Sequence, residues 1–447
     1  HGDSARRLLI LGVMQPRSVA IDDVIVTLDD PDGAVRAKAC DLLGRIGQPS
    51  AVPAVFRLLC DPNPRVSHAA LGAIQALGGE LTESLAVPAA TSSDPRLVRQ
   101  AFRLIGYFGF SRGIDALLRG LQHDDSQLRE LAVQSLGYIE NDRAREAVLR
   151  VSRDPAPRMR AAAMRALGHG EASFGAARLI EALDDDDAWV RYYACQSLGR
   201  LEHEPAAPAI ARRLADPAGQ VRISAIEAMS RLQSPAAASY LLLGARSPDD
   251  DVRRACITGM AISRRPEALP FVLAATAESD PATRLVATSA IAAFDAPEVP
   301  RRLAELAIGD EDEAVRFAAL AALGERPGRD ATMALIELLD HPDMHGRARE
   351  LLSTKVHGRV DGIMHALRDA DDESAARLAS ALARMRAAEG YSALVAALSL
   401  PNPSARKAAA ITAAAIGSRA LISALQGRES TDPDPEVRRV IASALRN

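Results

Sequence analysis

Aromatic residues make up only 3% of this 447-residue chain, and lysine occurs three times, at Lys38, Lys355 and Lys407. No run of about 18 apolar residues is present, which excludes a membrane-spanning helix. The formal net charge is −4, so bulk electrostatics gives no attraction to nucleic acid or to an anionic membrane. We therefore expect neither a nucleic-acid partner nor membrane insertion of this chain.

Cysteine is scarce as well, with four residues and no paired spacing. Cys40 and Cys195 occupy the same position of a repeated motif, five residues after its leading valine, and Cys256 takes the neighbouring position. Small positions of this kind favour core thiols over disulfides or metal ligands. Reduced thiols favour a cytoplasmic location. The chain begins at His1 without an initiator methionine, so we also expect it to be a piece of a longer protein.

One motif is abundant, a hydrophobe followed by arginine, small residues and Leu-Gly, and a clear copy runs from Asp187 to Gly199. The leading hydrophobes recur every 31 residues and are Val35, Val66, Leu97, Leu128, Met159, Val190, Val221 and Val252. Val315 comes one residue late, and Val437 shows the motif still present near the end. A fixed period of this length is typical of a stack of repeats rather than of several globular domains.

Each repeat has the pattern of two helices. Residues 49–60 carry apolar side chains at helical spacing, and the prolines within 61–64 then break the helix. A second helix is predicted from about Arg65 to Leu77, ended by Gly78 because glycine tolerates a left-handed C-cap. The predicted fold class is therefore all-α, an α-solenoid of about 14 helical hairpins, of which the first is incomplete.

We predict that residues 1–447 form a single solenoid. Its repeats are regular over 1–339, less regular over 340–398, and terminal over 399–447. Because the second helices within 340–398 match the motif poorly, we expect a weaker packing seam there, whose amide protons exchange earliest.

The motif D-x-x-V-R-x-x-A-x-x-x-L-G resembles the HEAT repeat, specifically the short type named after phycobilisome lyases, over nearly the whole chain. The resemblance implies a structural ladder of turn aspartates and helix arginines between units. The implied pairs are Asp32/Arg36, Asp187/Arg191, Asp216/Arg222 and Asp312/Arg316. It leaves the function open, because this fold carries scaffolds, adaptors, a few enzymes and transporter appendages.

The second helix also carries an exposed face. We number each second helix from its leading hydrophobe, so that positions 1, 5, 9 and 12 face the core. Positions 3, 7 and 11 then point the opposite way, at about 100° per residue. The resemblance places this face on the concave side of the solenoid. The residues that we predict to bind a partner there are Arg103, Tyr107, Gln134, Tyr138, Arg165, His169, Tyr192, Gln196, Arg200 and Arg231. Tyrosine and arginine are the residues that often anchor interfaces.

Other conspicuous residues favour structural roles. We expect Trp189 to pack on the adjacent turn, and the acidic run 184–187 to mark a helix N-terminus. Four of the nine histidines lie between 341 and 365, and His341 and His345 are weak candidates for metal ligands. Since no recognised metal-binding spacing accompanies them, we predict neither a metal nor a cofactor.

The sequence predicts a bacterial-type, non-catalytic scaffold or adaptor that binds another protein, through an acidic segment, along the concave groove. No nucleophile elbow, P-loop or dinucleotide motif is present. Only one His-Glu pair occurs, at His203, so the iron-binding hydroxylases that resemble this family are excluded. Two alternatives stay open: an enzyme of the bilin-lyase or HEAT-like DNA glycosylase type, and a regulatory appendage of a membrane transporter or chemosensory complex.

Overall fold

The computed structural model of the protein describes residues 2–13, 20–232, 234–385 and 388–446. These residues form α-helices, short 3-10 helices and loops, and none of them lies in a β-strand. The predicted all-α solenoid is confirmed, because a lone helix, α1 (Gly2–Val13), is followed over the described ranges by fourteen helix pairs. In each pair the even-numbered helix is the first helix and the odd-numbered helix is the second. None of the described helices is long and apolar enough to cross a membrane.

Internal contacts divide the chain into two compact units, His1–Tyr240 and Leu241–Asn447, and the prediction of one continuous domain stays a prediction. The helices of the first unit after α1 are α2 (Ile21–Ile25), α3 (Gly33–Ile46), α4 (Val52–Phe56), α5 (Pro64–Leu77), α6 (Gly79–Ala89), α7 (Pro95–Phe108), α8 (Ile114–Gly120), α9 (Ser126–Leu136), α10 (Asp142–Val151), α11 (Pro157–Leu167), α12 (Ala172–Ala182), α13 (Ala188–Arg200), α14 (Ala207–Arg212) and α15 (Gly219–Arg231). Helix α16 (Pro235–Gly244) contains the point of division.

The second unit continues the helix pairs. Its helices are α17 (Asp250–Ser263), α18 (Leu269–Ala275), α19 (Pro281–Ile291), α20 (Glu298–Gly309), α21 (Glu313–Glu325), α22 (Arg329–Glu337), α23 (His345–Leu352), α24 (Arg359–Ala366), α25 (Asp372–Arg384), α26 (Ala388–Ala397), α27 (Pro403–Ile416), α28 (Arg419–Arg428) and α29 (Pro435–Arg446). Short 3-10 helices flank several first helices, namely Val26–Asp29, Pro49–Ala51, Arg57–Cys60, Ser111–Gly113, Glu204–Ala206, Arg213–Ala215, Pro266–Ala268 and Leu338–Asp340.

Most second helices begin at an aspartate or asparagine whose side chain caps the first turn. The carboxylate of Asp187 accepts hydrogen bonds from the backbone amides of Trp189 (2.9 Å) and Val190 (3.2 Å). Such a cap satisfies amides that have no partner inside the helix. Further second helices are capped in the same way by Asp32, Asn63, Asp94, Asp125, Asp249, Asp280, Asp312, Asp371 and Asn402.

The glycine of the Leu-Gly motif lets successive second helices approach closely. A Cβ atom added to Gly199 would lie 2.6 Å from the Cα atom of Ala228 in the next second helix, which is too close for two carbon atoms. For Gly137 the corresponding distance to the Cα atom of Ala166 is 2.7 Å. Gly137 has a right-handed φ of −65°, so close packing rather than a turn requires glycine there. Gly78 ends α5 as predicted, but its φ of 59° and ψ of −157° differ from the left-handed cap that was expected.

An arginine–aspartate ladder joins successive repeats, but its partners differ from the predicted pairs. Arg36 donates two hydrogen bonds to the carboxylate of Asp61 in the next repeat, at 2.9 and 2.8 Å. Its Nη1 atom donates to the backbone oxygen of Asp30 at 2.8 Å. The predicted partner Asp32 caps the helix instead and accepts from the amide of Ala34 at 2.9 Å. The cap therefore occupies the carboxylate that sequence spacing alone assigned to the ladder.

The other predicted pairs are corrected in the same way. Asp187 caps α13, and Arg191 reaches forward to both carboxylate oxygens of Asp216 at 2.8 Å. Arg222 donates to the backbone oxygen of Asp216 at 3.0 Å, and Arg316 likewise donates to a backbone oxygen of its own turn at 2.7 Å. The two-bond rungs of the described chain are Arg36–Asp61, Arg160–Asp185, Arg191–Asp216, Arg284–Asp310 and Arg406–Asp432.

Some rungs of this ladder are buried. Arg191 is 8% exposed and Asp216 is 3% exposed. Burial alone would raise the pKa of Asp216, but hydrogen bonds from Arg191 and from the amide of Ala218 outweigh it and hold that pKa below 3.8. The same contact raises the pKa of Arg191. Because the folded-state pKa of the carboxyl is lowered, the stability from this rung is present at neutral pH and is lost as the pH falls through that lowered pKa.

Residues 340–398, predicted to be a weaker seam, contain a buried charge. Arg359 is 1% exposed, and its Nη2 atom donates to the backbone oxygen of Gly324 at 2.8 Å. Its Nε and Nη1 atoms have no hydrogen-bond partner within the described residues. Burial lowers the pKa of Arg359 to about 10. A buried charge without a counter-charge costs stability, which supports the expectation of early amide exchange there.

Gly199→Ala should lower the local free energy of unfolding of α13 and α15 by about 1–3 kcal/mol, because the added methyl group overlaps the backbone of Ala228. The matched control is Gly72→Ala in α5, where no atom lies within 4 Å of the added carbon. That change should raise the local free energy of unfolding by about 1 kcal/mol through helix propensity. Native-state hydrogen exchange measures both changes, and two effects of the same sign would contradict the close-packing explanation.

Asp216→Ala should lower the free energy of unfolding at pH 7 by about 3 kcal/mol, because it leaves Arg191 buried without a counter-charge. The control is Asp115→Ala, which breaks the Arg143–Asp115 pair, with an N–O distance of 2.7 Å and side chains 63% and 64% exposed. That loss should stay below about 1 kcal/mol. Chemical denaturation of both variants decides the matter, since equal losses would show that burial does not set the strength of the ladder.

Candidate functional site

The ten residues predicted for the partner groove lie on, or just after, five successive second helices of the first unit, α7 to α15. We call positions 3, 7 and 11 of these helices the second-helix face. Over this stretch, successive second helices contact each other more extensively than successive first helices do. The placement of the second-helix face on the concave side stays a prediction. Of the ten predicted residues, Arg103, Tyr107, Tyr138, Arg165, His169, Arg200 and Arg231 are exposed, and Gln134, Tyr192 and Gln196 are half-buried. The same positions also hold Arg99, Glu130, Ala161, Ile223 and Glu227, and Glu227 is exposed.

Three of these residues, one from each of three repeats, are in direct contact. The hydroxyl oxygen of Tyr138 lies 3.0 Å from Nε2 of His169, and the two ring centroids are 4.2 Å apart. Nη1 of Arg200 lies 3.1 Å from the same Nε2 atom. Tyr138 and His169 stand in the turns after α9 and α11, whereas Arg200 is the last residue of α13. The 31-residue period thus brings equivalent positions of neighbouring repeats into hydrogen-bonding distance.

These contacts fix the protonation state of His169. An arginine guanidinium only donates hydrogen bonds, so Nε2 must accept and the ring proton must sit on Nδ1. Loss of solvent around the ring, together with the positive charges of Arg200 and Arg165, lowers the pKa of His169 from 6.5 to about 4. His169 is therefore neutral at physiological pH, and the charge of this cluster comes from arginine.

A second cluster, beside the second-helix face, is aromatic, and the sequence prediction included only Tyr192 and Arg165 of it. Trp189 is 53% exposed and contacts the rings of Tyr192 (5.5 Å) and Tyr193 (6.1 Å) on its own helix. The expectation that Trp189 packs on the adjacent turn stays a prediction. The guanidinium of Arg165 lies over the ring of Tyr193 at 5.2 Å. Ile223, at position 3 of α15, is 36% exposed. An apolar residue at that outward position was the signal by which the sequence could have included Ile223 among the predicted partner-binding residues.

The remaining predicted residues are not joined to either cluster. The ring of Tyr107 packs edge-on against Phe108 at 4.9 Å, and Arg103 donates to the side chain of Gln100 at 3.4 Å. Within the described residues, no hydrogen bond, ion pair or ring contact joins Tyr107 or Arg231 to the Tyr138–His169–Arg200 cluster. The predicted residues thus fall into two clusters, within each of which the side chains contact one another, and into separate residues at either end, such as Tyr107 and Arg231.

The arginines of the second-helix face differ from those of the ladder. Among the described residues, no carboxylate lies within 4.0 Å of the guanidinium of Arg103, Arg165, Arg200 or Arg231. The ladder arginines, by contrast, each hold an aspartate at hydrogen-bonding distance. Two aspartates of the acidic run 184–187 have other partners, because Asp185 pairs with Arg160 and Asp187 caps α13. Four exposed positive charges are therefore free to meet an external anion.

Two cavities open beside these clusters. The first has a volume of about 250 Å³ and is lined by Tyr138 and His169 together with residues of the adjoining turns and first helices. The second has a volume of about 260 Å³ and is lined by Gln134, Arg165, Trp189 and other residues of α9, α11 and α13. Both are smaller than a typical site for a drug-sized ligand, and each has room for one side chain.

Comparison with protein families settles the origin of the repeats. The family description "HEAT repeats" matches residues 21–104, 83–168, 176–261, 239–307, 268–353 and 360–446. The chain belongs to the HEAT-repeat family. The matches fall in both compact units and include every residue of the second-helix face except His169, which lies between two of them.

Solved structures are similar to this HEAT-repeat chain, and only importin beta has a TM-score above 0.5 of the two described below. Importin beta is 12% identical with a TM-score of 0.51, and the match covers 100% of this chain and 71% of importin beta. Kap121p bound to Nup53p is 13% identical with a TM-score of 0.46, and the match covers 98% of this chain and 58% of Kap121p. Likeness at these identities shows the fold alone. No curated protein sequence matches.

The histidine-rich stretch of the HEAT-repeat chain does not assemble a ligand set. Nδ1 of His345 lies 2.7 Å from the backbone oxygen of Pro342. Across the part of the chain that the structure describes, no group of three or more histidine, cysteine, aspartate or glutamate side chains is placed to hold a metal ion. His341 and His345 therefore gain no further ligand from the fold.

Arg200→Gln should raise the pKa of His169 above about 4, because it removes a positive charge that touches the ring. The control Arg231→Gln removes a charge that makes no contact with His169 and should leave this pKa unchanged. An NMR titration of the imidazole ring measures both. Because the folded-state pKa lies below the ordinary 6.5, the wild type should lose stability as the pH falls from about 6.5 toward 4, and the Arg200 variant should lose less. An unchanged pKa in Arg200→Gln would show that desolvation alone sets it.

Proposed function

We propose that this HEAT-repeat protein is a non-catalytic scaffold or adaptor that holds a partner protein on the second-helix face, with an acidic segment of the partner over its arginines. The carrying observation is that Arg103, Arg165, Arg200 and Arg231 are exposed and, within the described residues, have no carboxylate partner. Arginine pairs with carboxylates through two parallel hydrogen bonds, which gives both affinity and orientation. A segment rich in aspartate and glutamate therefore complements this face.

Exposed aromatic rings supply the second part of the interface. Tyr107 is 60% exposed, Tyr138 is 50% exposed and Trp189 is 53% exposed. Tyrosine, tryptophan and arginine are the residues in which interface binding energy concentrates. Neighbouring helices lie about 8–10 Å apart, so the five second helices span roughly 40 Å. An extended segment of about 12 residues has this length, at about 3.3 Å per residue.

The proposal also covers the subtype of the repeat and the cellular location of the protein. We assign the repeats to the short phycobilisome-lyase type, on the strength of the 31-residue period. We place the protein in the cytoplasm, since Cys40, Cys195 and Cys256 are unpaired and buried. Burial raises the pKa of each of these three thiols to about 12, so they stay protonated in the core.

The triple variant Arg165→Ala, Arg200→Ala, Arg231→Ala should weaken partner binding by about tenfold or more, because each change removes an exposed charge that contacts the acidic segment. The charge-matched control changes Arg65, Arg119 and Arg150 to alanine, three exposed arginines outside the second-helix face. Quantitative mass spectrometry compares the proteins that wild type, variant and control retain from a lysate of the source organism. The proposal expects proteins retained by wild type and control but lost from the variant. Equal retention by variant and wild type, or retention of nucleic acid alone, would overturn it.

A further inference from the structure

The 250 Å³ cavity beside the Tyr138–His169–Arg200 cluster is lined by polar and apolar surface in equal measure. It lies between the turn that joins α9 to α10 and the turn that joins α11 to α12. The buried apolar residues that line it are Leu136, Ile139, Val148, Ala166 and Leu167. The ring of Phe174 completes this wall, with the guanidinium of Arg145 over it at 5.8 Å.

The size of the cavity matches one large apolar side chain. An apolar cavity of about 150 Å³ in another protein holds a benzene molecule, so about 250 Å³ accommodates an aromatic ring or a branched aliphatic group. The apolar half of its lining is stabilised by any apolar area that it removes from water. The cavity is therefore suited to an anchor residue rather than to a separate small molecule.

The rim of the cavity changes charge from one side to the other. On the second-helix side stand Tyr138 and His169, with Arg200 hydrogen-bonded to His169 at 3.1 Å. On the first-helix side stand Glu140 and Glu171, both exposed. Because His169 is neutral with its proton on Nδ1, the positive charge on the second-helix side belongs to the arginines. The first-helix side also holds Arg145, which pairs with Glu171 at 3.9 Å. Glu140 and Glu171 still outnumber Arg145, so that side is net negative, whereas the side toward α13 is positive.

We propose that the cavity binds a single phenylalanine or leucine side chain of an extended partner segment, whose acidic residues continue from that anchor over Arg200 and Arg165. The inference rests on the proposed function and adds to it the kind of segment that is recognised: an apolar anchor followed, on one side only, by aspartate or glutamate. Acidic residues on the other side of the anchor face Glu140 and Glu171 and are disfavoured by like charge.

Synthetic peptides test this directly. Two fluorescent nonapeptides carry four glutamates on one side of a phenylalanine and Gly-Ser-Gly-Ser on the other, in the two possible orders, and each has a counterpart with alanine in place of phenylalanine. Fluorescence anisotropy at low salt measures their affinities. One of the two orders should bind about tenfold tighter with phenylalanine than with alanine, which corresponds to burial of one large apolar side chain.

A cavity-filling variant separates the anchor from the charges. Gly170→Leu places an apolar side chain in the cavity, and no atom other than the backbone oxygen of Leu167, at 3.9 Å, lies near the added Cβ. It should abolish the preference for phenylalanine over alanine. Ser173→Leu adds the same group at an exposed position that does not line the cavity and should keep the preference. Thermal unfolding verifies that both variants are folded.

The outcomes distinguish this inference from the proposed function. If phenylalanine and alanine peptides bind the wild type equally, and the Arg165/Arg200/Arg231 variant loses both, the cavity is not an anchor site while the acidic-partner proposal stands. If Gly170→Leu keeps the full preference for phenylalanine, the anchor lies elsewhere and the inference is overturned. Absence of binding by all four peptides also overturns it, and the retention experiment then decides the proposed function independently.

Discussion

Close approach of successive second helices is the constraint on which the rest of the first unit depends. Where the Leu-Gly glycine faces the next helix, at Gly137 and Gly199, backbone meets backbone with no room for a methyl group. This spacing sets how far apart equivalent positions of neighbouring repeats lie. Tyr138, His169 and Arg200 can share hydrogen bonds only because their helices are held this close together. Packing of small residues between the helices therefore determines the geometry of the exposed second-helix face.

The fold was predictable from the sequence because one period repeats across most of the chain. The period also predicted which residues share the second-helix face, since positions 31 residues apart are equivalent in every repeat. It could not predict the ladder partners. Some turns, such as residues 30–32, supply two acidic side chains, and only the structure shows that Asp32 caps its helix while Arg36 binds Asp61 of the next repeat. Sequence spacing does not show which carboxylate accepts hydrogen bonds from the unpaired backbone amides of the first helical turn.

The candidate site was harder to predict for a related reason. Trp189 follows a capping aspartate, and the motif alone gives no measure of how much of its ring the neighbouring helix covers. The cavity beside His169 arises from the path of two turns between helices, which helical periodicity does not describe. The lowered pKa of His169 depends on loss of solvent around the ring and on two arginines from different helices, one of them 31 residues further along the chain. Such properties appear only when separate repeats are placed side by side.

The forward reach of the ladder has a consequence for how such a chain changes length during evolution. Each rung joins an arginine to an aspartate 25 or 26 residues ahead, and the turn that provides this aspartate recurs once per repeat. Duplication or deletion of one whole repeat therefore keeps the spacing between ladder arginines and the equivalent position of the next turn, which holds an aspartate in some repeats and Ser92, His123 or Ser247 in others. Insertion of a few residues inside a repeat instead separates a buried cation from its counter-ion. The ladder thus favours changes in chain length by whole repeats over insertions or deletions of a few residues.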